Sequence, residues 1–397
     1  MNKTLWLSLL AVSLALGGCA NISTGPRPHL TGDPLVDGPA AIARGPAKDK
    51  LLWQYRMAAA HMRRGQYAEA KPLLDDALAS IGGIFGHDKD AKKARGYFNA
   101  EAKKTFLGEP YERIMAYYYR GILYWMDGEP DNARACFRSA QLQDSDTEQK
   151  AYASDYVLLD YLDGLATTKL GGDGSDAFKR AQPLAKIAVP PAYDPKANVL
   201  FFVEFGPGPT KYATGEYAQE LRFRGGVSPV KNAVIKVANH HVEVAPYDDL
   251  YFQATTRGGR AMDHILANKA VFKKTTDSIG NAAIVSGAIL AGTKNPRRSS
   301  NQDEIGLGLM LAGLASKIVS SAATPEADIR AWDNLPLYLS FAAVQLPPGT
   351  NTVTVEFLDQ HHQVVPTFNK TITLTVPADG HDKVVFLSDQ SVTPQNL

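Results

Sequence analysis

A cysteine close to the start of the chain has the clearest chemistry in the sequence. One lysine lies in the first three residues, residues 5–16 are apolar, and Leu16-Gly17-Gly18 come directly before Cys19. A short basic region, an apolar stretch and small residues before a cleavage point are typical of an export signal. Because a cysteine occupies that point, the pattern predicts removal of residues 1–18 and acylation of the Cys19 thiol. The alternative is an ordinary secretory signal in which the cysteine stands by chance.

A glycine-containing segment with a lysine follows a predicted strand. Its sequence, FGPGPTK, covers residues 205–211. Glycines after a strand can expose backbone N–H groups to an anion, and a lysine can supply charge. The two prolines have no N–H to offer, and the spacing is not that of a P-loop. The segment therefore predicts a rigid, shaped loop with Gly206, Gly208 and Lys211 as candidate interaction residues, and an anion site is the alternative.

Two histidine pairs, His240-His241 and His361-His362, contain a residue type that binds metals. Adjacent residues on a strand point to opposite faces, so neither pair can hold one ion from a regular strand. The sequence also lacks HExxH and CxxC motifs. We expect no metal site and no cofactor.

No residue of the sequence is a clear catalytic candidate. A GxSxG motif is absent from it, and Cys136 lies on the apolar stripe of a predicted helix, which favours packing over reactivity. We expect no enzymatic activity, and a cell-wall enzyme with an unrecognised site is the alternative. Acidic pairs in polar surroundings are interpreted as solvent-facing: Asp75-Asp76, Asp248-Asp249 and Asp303-Glu304.

The overall charge argues against a nucleic-acid partner. Without Lys3, the 42 basic residues become 41, which equals the number of acidic residues, whereas nucleic-acid binding needs an excess of basic groups. The 397 residues include only two cysteines. Stability must therefore come from apolar cores, and the length allows two or three domains.

Pairs of amphipathic helices are predicted over residues 48–190. Apolar residues recur at spacings of three and four, and the first two pairs turn at Gly65 and Gly128. Gly121 is the small residue in the first helix of the second pair, where we expect the two helices to approach closely, and Phe137 is the aromatic residue in the second helix. These pairs resemble tetratricopeptide (TPR) repeats. A basic helix is predicted between the two pairs, at 87–107, and a weaker third pair at 156–169 and 175–187.

The segments on either side of these helices differ from them in pattern. Residues 19–47 alternate prolines with glycines and lack apolar periodicity, which predicts a flexible tether after the lipidated cysteine. Residues 191–397 predict an α+β domain. Its strands are expected at 198–205, 233–237, 250–256, 337–346, 351–358, 371–376 and 383–387, with a helix at 263–274.

A Gly/Ala-rich helical hairpin is predicted inside this domain, over residues 279–323. Ala283, Gly287 and Ala291 recur every four residues, a spacing that lets helices approach closely. The first arm is short and Lys317 interrupts the second, so both are marginal as membrane spans. We expect the hairpin to pack in the core or against a partner, with membrane insertion as the alternative.

Several segments together resemble a family of Gram-negative TPR-containing lipoproteins. They are KKTFLGEPYER at 103–113, DNARACF at 131–137, FGPGPTK at 205–211 and ADIRAWDNLP at 327–336. The resemblance implies a lipid-anchored envelope protein with TPR-like helices, and it implies no activity. Ala20 and Asn21 follow Cys19, so the aspartate that marks retention in the inner membrane is missing. By resemblance to enterobacterial lipoprotein sorting, its absence implies the outer membrane, facing the periplasm.

These observations predict a mixed fold: TPR-like repeats followed by an α+β domain with an inserted hairpin. The predicted function is a scaffold or adaptor in the cell envelope, held on the membrane by its lipid. A protein or peptide partner is expected on the concave surface of the stacked helices, and a homo-oligomer is left open. The alternative is a membrane-associated assembly or pore component that uses residues 279–323.

Overall fold

Helices fill the first half of the chain in the computed structural model. The structure describes residues 30–85, 105–145, 153–237, 240–257, 327–392 and 395–396. The described helices are α1 (Pro34–Arg44), α2 (Lys50–Arg63), α3 (Tyr67–Phe85), α4 (Pro110–Met126), α5 (Pro130–Asp144), α6 (Val157–Lys169), α7 (Ser175–Leu184) and α8 (Leu250–Arg257).

Three helix pairs lie where the apolar spacing predicts them: α2 with α3, α4 with α5, and α6 with α7. Gly65 and Gly128 occupy the first two turns with φ angles of +70° and +78°. Only glycine adopts this left-handed conformation without a steric penalty. A mixed fold with helices before sheets is therefore confirmed, whereas the assignment of the pairs to the TPR family stays a prediction.

The predicted tether is wrong for its second half, because Pro34–Arg44 form α1. This helix packs against α2, where a Cβ atom on Gly38 would lie 2.4 Å from Sδ of Met57. The missing side chain of Gly38 thus permits a close helix contact. Proline and glycine content alone predicted flexibility at a position where glycine allows packing.

The strands form two larger sheets and one hairpin. Their bounds are β1 (Val199–Pro207), β2 (Thr210–Thr214), β3 (Glu220–Arg224), β4 (Asn232–Val237), β5 (His240–Val244), β6 (Pro246–Asp249), β7 (Pro336–Val344), β8 (Gly349–Leu358), β9 (Lys370–Val376), β10 (Lys383–Ser388) and β11 (Gln395–Asn396). The central sheet has the order β10-β1-β7-β6, the outer sheet has the order β11-β9-β8-β4-β5, and β2 pairs with β3. In the central sheet, β1 runs parallel to β10 and antiparallel to β7.

The central sheet is covered on both faces. Leu200 and Phe202 of β1 pack in the core shared with the helices, whereas Phe201 and Phe205 pack in the core shared with the outer sheet. The continuous apolar run of β1 follows from this double burial. The described residues from Pro34 onward form one compact unit.

The first helix of each pair packs against the central sheet. Helices α2 and α4 contact β10, and α6 contacts β6 and β7. Aromatic contacts fill this layer, including Tyr119 with Phe386 and Tyr161 with Phe341, at ring-centroid distances of 5.9 and 5.8 Å. The strands of the central sheet thus cover α2, α4 and α6. The sequence predicts a partner on the concave surface of the stacked helices.

The strand predicted at 250–256 is wrong, because Leu250–Arg257 form helix α8. Leu250 and Ala254, four residues apart, are fully buried, which is a helical spacing. Asp249 begins the helix: its Oδ1 accepts hydrogen bonds from the N–H groups of Tyr251 and Phe252 at 2.8 and 3.3 Å. This side-chain cap gives the short helix its start.

Asp248 contradicts the prediction that the Asp248-Asp249 pair faces solvent. Its side chain is buried, and its two carboxylate oxygens accept hydrogen bonds from the N–H groups of Val157 and Leu158 at 2.8 and 2.9 Å. A negative charge at the first N–H groups of a helix is favourable. Asp248 therefore connects the central sheet to α6.

Some predicted elements lie outside the described residues. They include Cys19, nearly all of the helix at 87–107, the helix at 263–274 and the hairpin at 279–323. Within the part of the chain that the structure describes, no helix is both long and apolar enough to cross a membrane.

Candidate functional site

The carboxylate of Glu112 brings three distant segments of the chain together. Glu112 is fully buried near the start of α4, where its Oε2 accepts a hydrogen bond from the N–H of Glu109 at 2.7 Å. The same oxygen lies 2.6 Å from Nζ of Lys211 on β2. Its other oxygen, Oε1, accepts a hydrogen bond from the N–H of Trp332 at 2.6 Å. Both oxygens are therefore occupied by charged or backbone donors.

Lys211 is enclosed rather than presented to a ligand. Its side chain is 2% exposed, and Nζ donates both to Glu112 and to the carbonyl oxygen of Arg330, at 3.0 Å. The aromatic rings of Phe106 and Tyr111 lie within 6 Å of this ammonium group. A buried ammonium needs a carboxylate partner, and Lys211 already has one.

The glycines of the predicted interaction loop are also packed inside. Gly206 has a φ of +77°, and its N–H donates to Oδ2 of Asp389 at 2.9 Å. The N–H of Gly208 donates to the carbonyl oxygen of Leu335 at 2.9 Å, and a Cβ atom on Gly208 would lie 2.7 Å from that oxygen. Backbone hydrogen bonds thus hold both glycines within the fold. Gly206, Gly208 and Lys211 do not form an exposed interaction surface.

Trp332 joins the ion pair of Glu112 and Lys211 to the aromatic core between α2 and α4. Its ring stacks on Tyr55 of α2 at 4.3 Å and 11°, and it meets Tyr119 of α4 edge-on at 5.8 Å. Trp332 is completely buried. Aromatic pairs of this kind contribute about 0.5–1.5 kcal/mol beyond the burial of their area.

A second buried ion pair lies beyond Tyr119. Glu204 of β1 accepts hydrogen bonds from Nε of Arg63 at 2.8 Å and from the hydroxyl of Tyr119 at 2.6 Å. Burial raises the pKa of Tyr119 well above its usual value, and the charge of Glu204 raises it further. Burial opposes the charge of Arg63, but Glu204 keeps the pKa of Arg63 above its ordinary value. The three groups thus form a fixed link between α2, α4 and β1.

An open groove of about 460 Å³ has Lys211, the partner of Glu112, in its lining. Arg56 forms a two-pronged ion pair with Asp333, Nε to Oδ1 and Nη2 to Oδ2, both at 2.8 Å. The guanidinium of Arg56 also lies 5.0 Å from the ring centroid of the half-buried Trp53. The groove is lined by Asp49, Leu52, Trp53, Arg56, Thr210, Lys211, Ile329, Arg330, Ala331 and Asp333.

Ion pairs of Arg330 fix a second wall of the groove. Arg330 pairs with Asp328 at 2.6 Å and with Asp49, which precedes α2. Burial works against the charge of Arg330, but the two aspartates hold its pKa above the ordinary value. Beside it, Ile329 is 53% exposed. The groove therefore combines fixed charges with exposed apolar surface.

The histidine pairs lie apart from this groove in the fold. His240 and His241 are exposed on strand β5 of the outer sheet, and His361 and His362 are exposed after β8. Among the described residues, no group of three or more His, Cys, Asp or Glu side chains is arranged to hold a metal ion. Cys136 is buried on α5, as its apolar stripe predicts.

Comparisons of the chain with known protein families, curated protein sequences and solved structures find no significant match. The resemblance to TPR-containing lipoproteins therefore stays a prediction. Three of the segments that carry it nevertheless meet at one place, because Glu112, Lys211 and Trp332 come from residues 103–113, 205–211 and 327–336.

Residue types alone missed the two buried glutamates. Their positions in the sequence were the only indication of their roles. Glu204 interrupts the apolar run of β1, and Glu112 is placed to complete a capping box at the start of a helix. Neither position names its partner, since Lys211 and Arg63 are distant in sequence. The contacts come from the tertiary fold.

Proposed function

We propose that the chain is an adaptor protein of the cell envelope that binds a protein or peptide partner through the groove beside Trp53. An acylated Cys19 anchors it to the outer membrane, facing the periplasm. The export signal and the residues after Cys19 support this location. The groove supports the binding role.

The chemistry of the groove is the observation that carries the proposal. Tryptophan and arginine dominate the binding energy of many protein interfaces. Trp53 and Arg56 stand together here, and Ile329 adds an exposed apolar side chain on the other wall. Asp333 fixes the guanidinium of Arg56 on both prongs. A side chain that is already ordered loses less entropy when a partner binds.

The position of the groove also favours binding over catalysis. The carboxylate beneath it, Glu112, has both oxygens engaged by Glu109, Lys211 and Trp332. A general acid or base must reach its substrate directly or through one water, and Glu112 is completely buried. The groove therefore offers a binding surface above a structural ion pair.

Site-specific crosslinking in cells tests the proposal. A photoreactive amino acid in place of Ile329 should form an adduct with one defined envelope protein. Trp53→Ala should reduce that adduct about tenfold, the effect expected when a central aromatic contact worth at least 1.4 kcal/mol is lost. Leu170→Ser is the matched control, because Leu170 is 47% exposed at the end of α6, outside the groove.

Two results separate this proposal from others. An adduct that forms equally in the Trp53→Ala protein contradicts binding through the groove. An adduct that is lost equally in the Leu170→Ser protein shows a general loss of folding or expression, and it contradicts a specific role for Trp53.

A further inference from the structure

Three arginines surround two buried aspartates where α5, α6 and α7 meet. Arg134 and Arg138 of α5 each donate from Nε to Oδ1 of Asp163 at 2.9 Å. Arg180 of α7 donates from Nε to Oδ1 of Asp160 at 3.0 Å, and its Nη2 lies 3.6 Å from Oδ2 of Asp163. The aspartate side chains are 5% and 3% exposed, whereas the arginines are 30–55% exposed.

The cluster has more positive than negative charge. Three guanidinium groups face two carboxylates, and the neutral Gln141 donates a further hydrogen bond to Asp160, Nε2 to Oδ1 at 2.7 Å. One two-pronged arginine would neutralise each aspartate. The third arginine therefore leaves one positive charge at a solvent-facing position.

The arginines also keep unused donors. In the described part of the chain, Arg134 and Arg138 reach Asp163 through Nε, and their terminal Nη groups donate no hydrogen bond. Their spacing of four residues places both side chains on the same face of α5. Two guanidinium groups are thus held in position by a buried carboxylate while their outer edges face solvent.

We propose that Arg134, Arg138 and Arg180 form a binding site for a phosphate group. Planar guanidinium groups bind phosphate oxygens through paired N–H donors, and the excess charge favours an anion. Leu142 lies one turn beyond Arg138 on α5 and is 69% exposed. The site therefore fits a phosphate carried by a lipid headgroup or a free phosphate, and the buried aspartates act as positioning residues for the arginines.

Titration with inorganic phosphate at constant ionic strength tests the site directly. The protein is produced from residue 20 onward, so that neither an acyl chain nor the apolar residues 5–16 can bind it to lipid, and binding is followed by the rise in melting temperature. Arg138→Gln with Arg180→Gln should weaken phosphate binding at least about tenfold, since two charge-assisted contacts are lost. Arg222→Gln is the matched control, because Arg222 is a 47% exposed arginine paired with Glu220 on β3.

Arg138→Lys distinguishes a shaped site from simple charge. Lysine keeps the charge but lacks the planar fork. Phosphate binding should weaken in this variant although its melting temperature in chloride stays close to that of the parent protein. The same variant provides the test if the double glutamine variant does not fold.

Vesicles distinguish the two sources of phosphate. The same protein, which begins at residue 20, is sedimented with vesicles of phosphatidylcholine alone or with added phosphatidic acid, and its retention is compared with that of the arginine variants. Retention that requires phosphatidic acid and the arginines supports a headgroup ligand, whereas binding of soluble phosphate without retention supports a free phosphate. Equal responses of the parent protein, the arginine variants and Arg222→Gln would overturn the proposal, because only an adventitious ion effect would remain.

Discussion

Gly121 of α4 lies against the ring of Phe137 of α5, so that a Cβ atom on residue 121 would be 2.7 Å from Cε1 of Phe137. Both residues are fully buried in the core that the helices share with the central sheet. The contact fixes the separation of these two helices. The sequence pattern predicts a close helix approach at Gly121, and the structure identifies Phe137 as the residue that it meets there.

Replacing Gly121 with valine should destabilise the protein by about 1–3 kcal/mol, because the new methyl groups overlap the ring of Phe137. Urea unfolding measures the change. Ala135→Val is the control, since Ala135 is exposed on α5 and a valine there changes only helix propensity.

A double variant tests whether the ring itself causes this cost. Phe137→Ala alone should cost about 3–5 kcal/mol through the cavity that it leaves. In that background Gly121→Val should cost less than in the parent protein, because the valine fills part of the cavity. Additive costs would show that the two residues do not interact.

Removing the carboxylate of Glu112 should destabilise the fold by about 3–5 kcal/mol, because Lys211 then stays buried without its charged partner. Thermal or urea unfolding of Glu112→Ala measures this. Lys50→Ala is the contrast: Lys50 and Asp76 form an ion pair with both side chains more than half exposed, and such pairs contribute only about 0–1 kcal/mol. A similar decrease in the free energy of unfolding in both variants would contradict a stabilising role for the buried pair of Glu112 and Lys211.

Asp248→Ala should cost about 1–3 kcal/mol, because two buried N–H groups at the start of α6 lose their acceptor. Asp176→Ala removes an aspartate that is 85% exposed in the first turn of α7 and should change the free energy of unfolding by less than about 0.5 kcal/mol. Equal effects at the two positions would contradict the capping role of Asp248.

The thiol of Cys136 should be unreactive in the folded protein. Burial raises the pKa of this thiol from its ordinary value of 9.0 to about 11, and the thiolate is the reactive form. In the Cys19→Ser protein a disulfide reagent at pH 8 should label Cys136 slowly, and quickly after unfolding in urea. Because the folded state favours the protonated thiol, this contribution to stability is complete below pH 9 and is lost as the pH rises through 11. Rapid labelling of the native protein would show that Cys136 is accessible.

Cys19→Ser should abolish labelling by a palmitate analogue and release the protein from the outer-membrane fraction. The reason is the position of Cys19 directly after the predicted export signal. Cys136→Ser is the matched control, since it removes the other cysteine and should leave both labelling and fractionation unchanged. Equal labelling of the wild type and Cys19→Ser would disprove acylation at this residue.

The spacing of apolar residues along the chain predicted most of the helices and strands, because it indicates which side chains are buried. Helices α2 to α7 follow a spacing of three and four, and β1, β4, β7, β8, β9 and β10 follow apolar or alternating runs. Strands β2, β3, β5, β6 and β11 were missed, since polar or short strands leave little burial signal. Helix α8 was mistaken for a strand because β-branched threonines and aromatic residues favour strands, whereas its cap by Asp249 favours a helix.

The candidate site was not predictable from the sequence, because its contacts join distant residues. Lys211 was predicted as an exposed interaction residue, since a lysine in a glycine-containing loop normally faces solvent. Its burial depends on Glu112, about a hundred positions earlier, and on the segment around Trp332. Periodicity contains no information about such pairs. The groove beside Trp53 likewise exists only after α2 and residues 329–333 have come together.

The parallel pairing of β1 with β10 has a consequence for the order in which the molecule can form. Strand β10 ends at Ser388, and just beyond it the N–H of Val392 donates to the carbonyl oxygen of Arg63 in α2. Helix α2 and strand β1 therefore obtain their final neighbours only after residues 383–392 have been synthesised. Until then β1 exposes an apolar edge, the type of surface on which unfinished chains aggregate. We expect the unfinished chain to depend on a holding chaperone, and we expect deletion of residues 383–397, which include β10, to damage folding as severely as a substitution in the core.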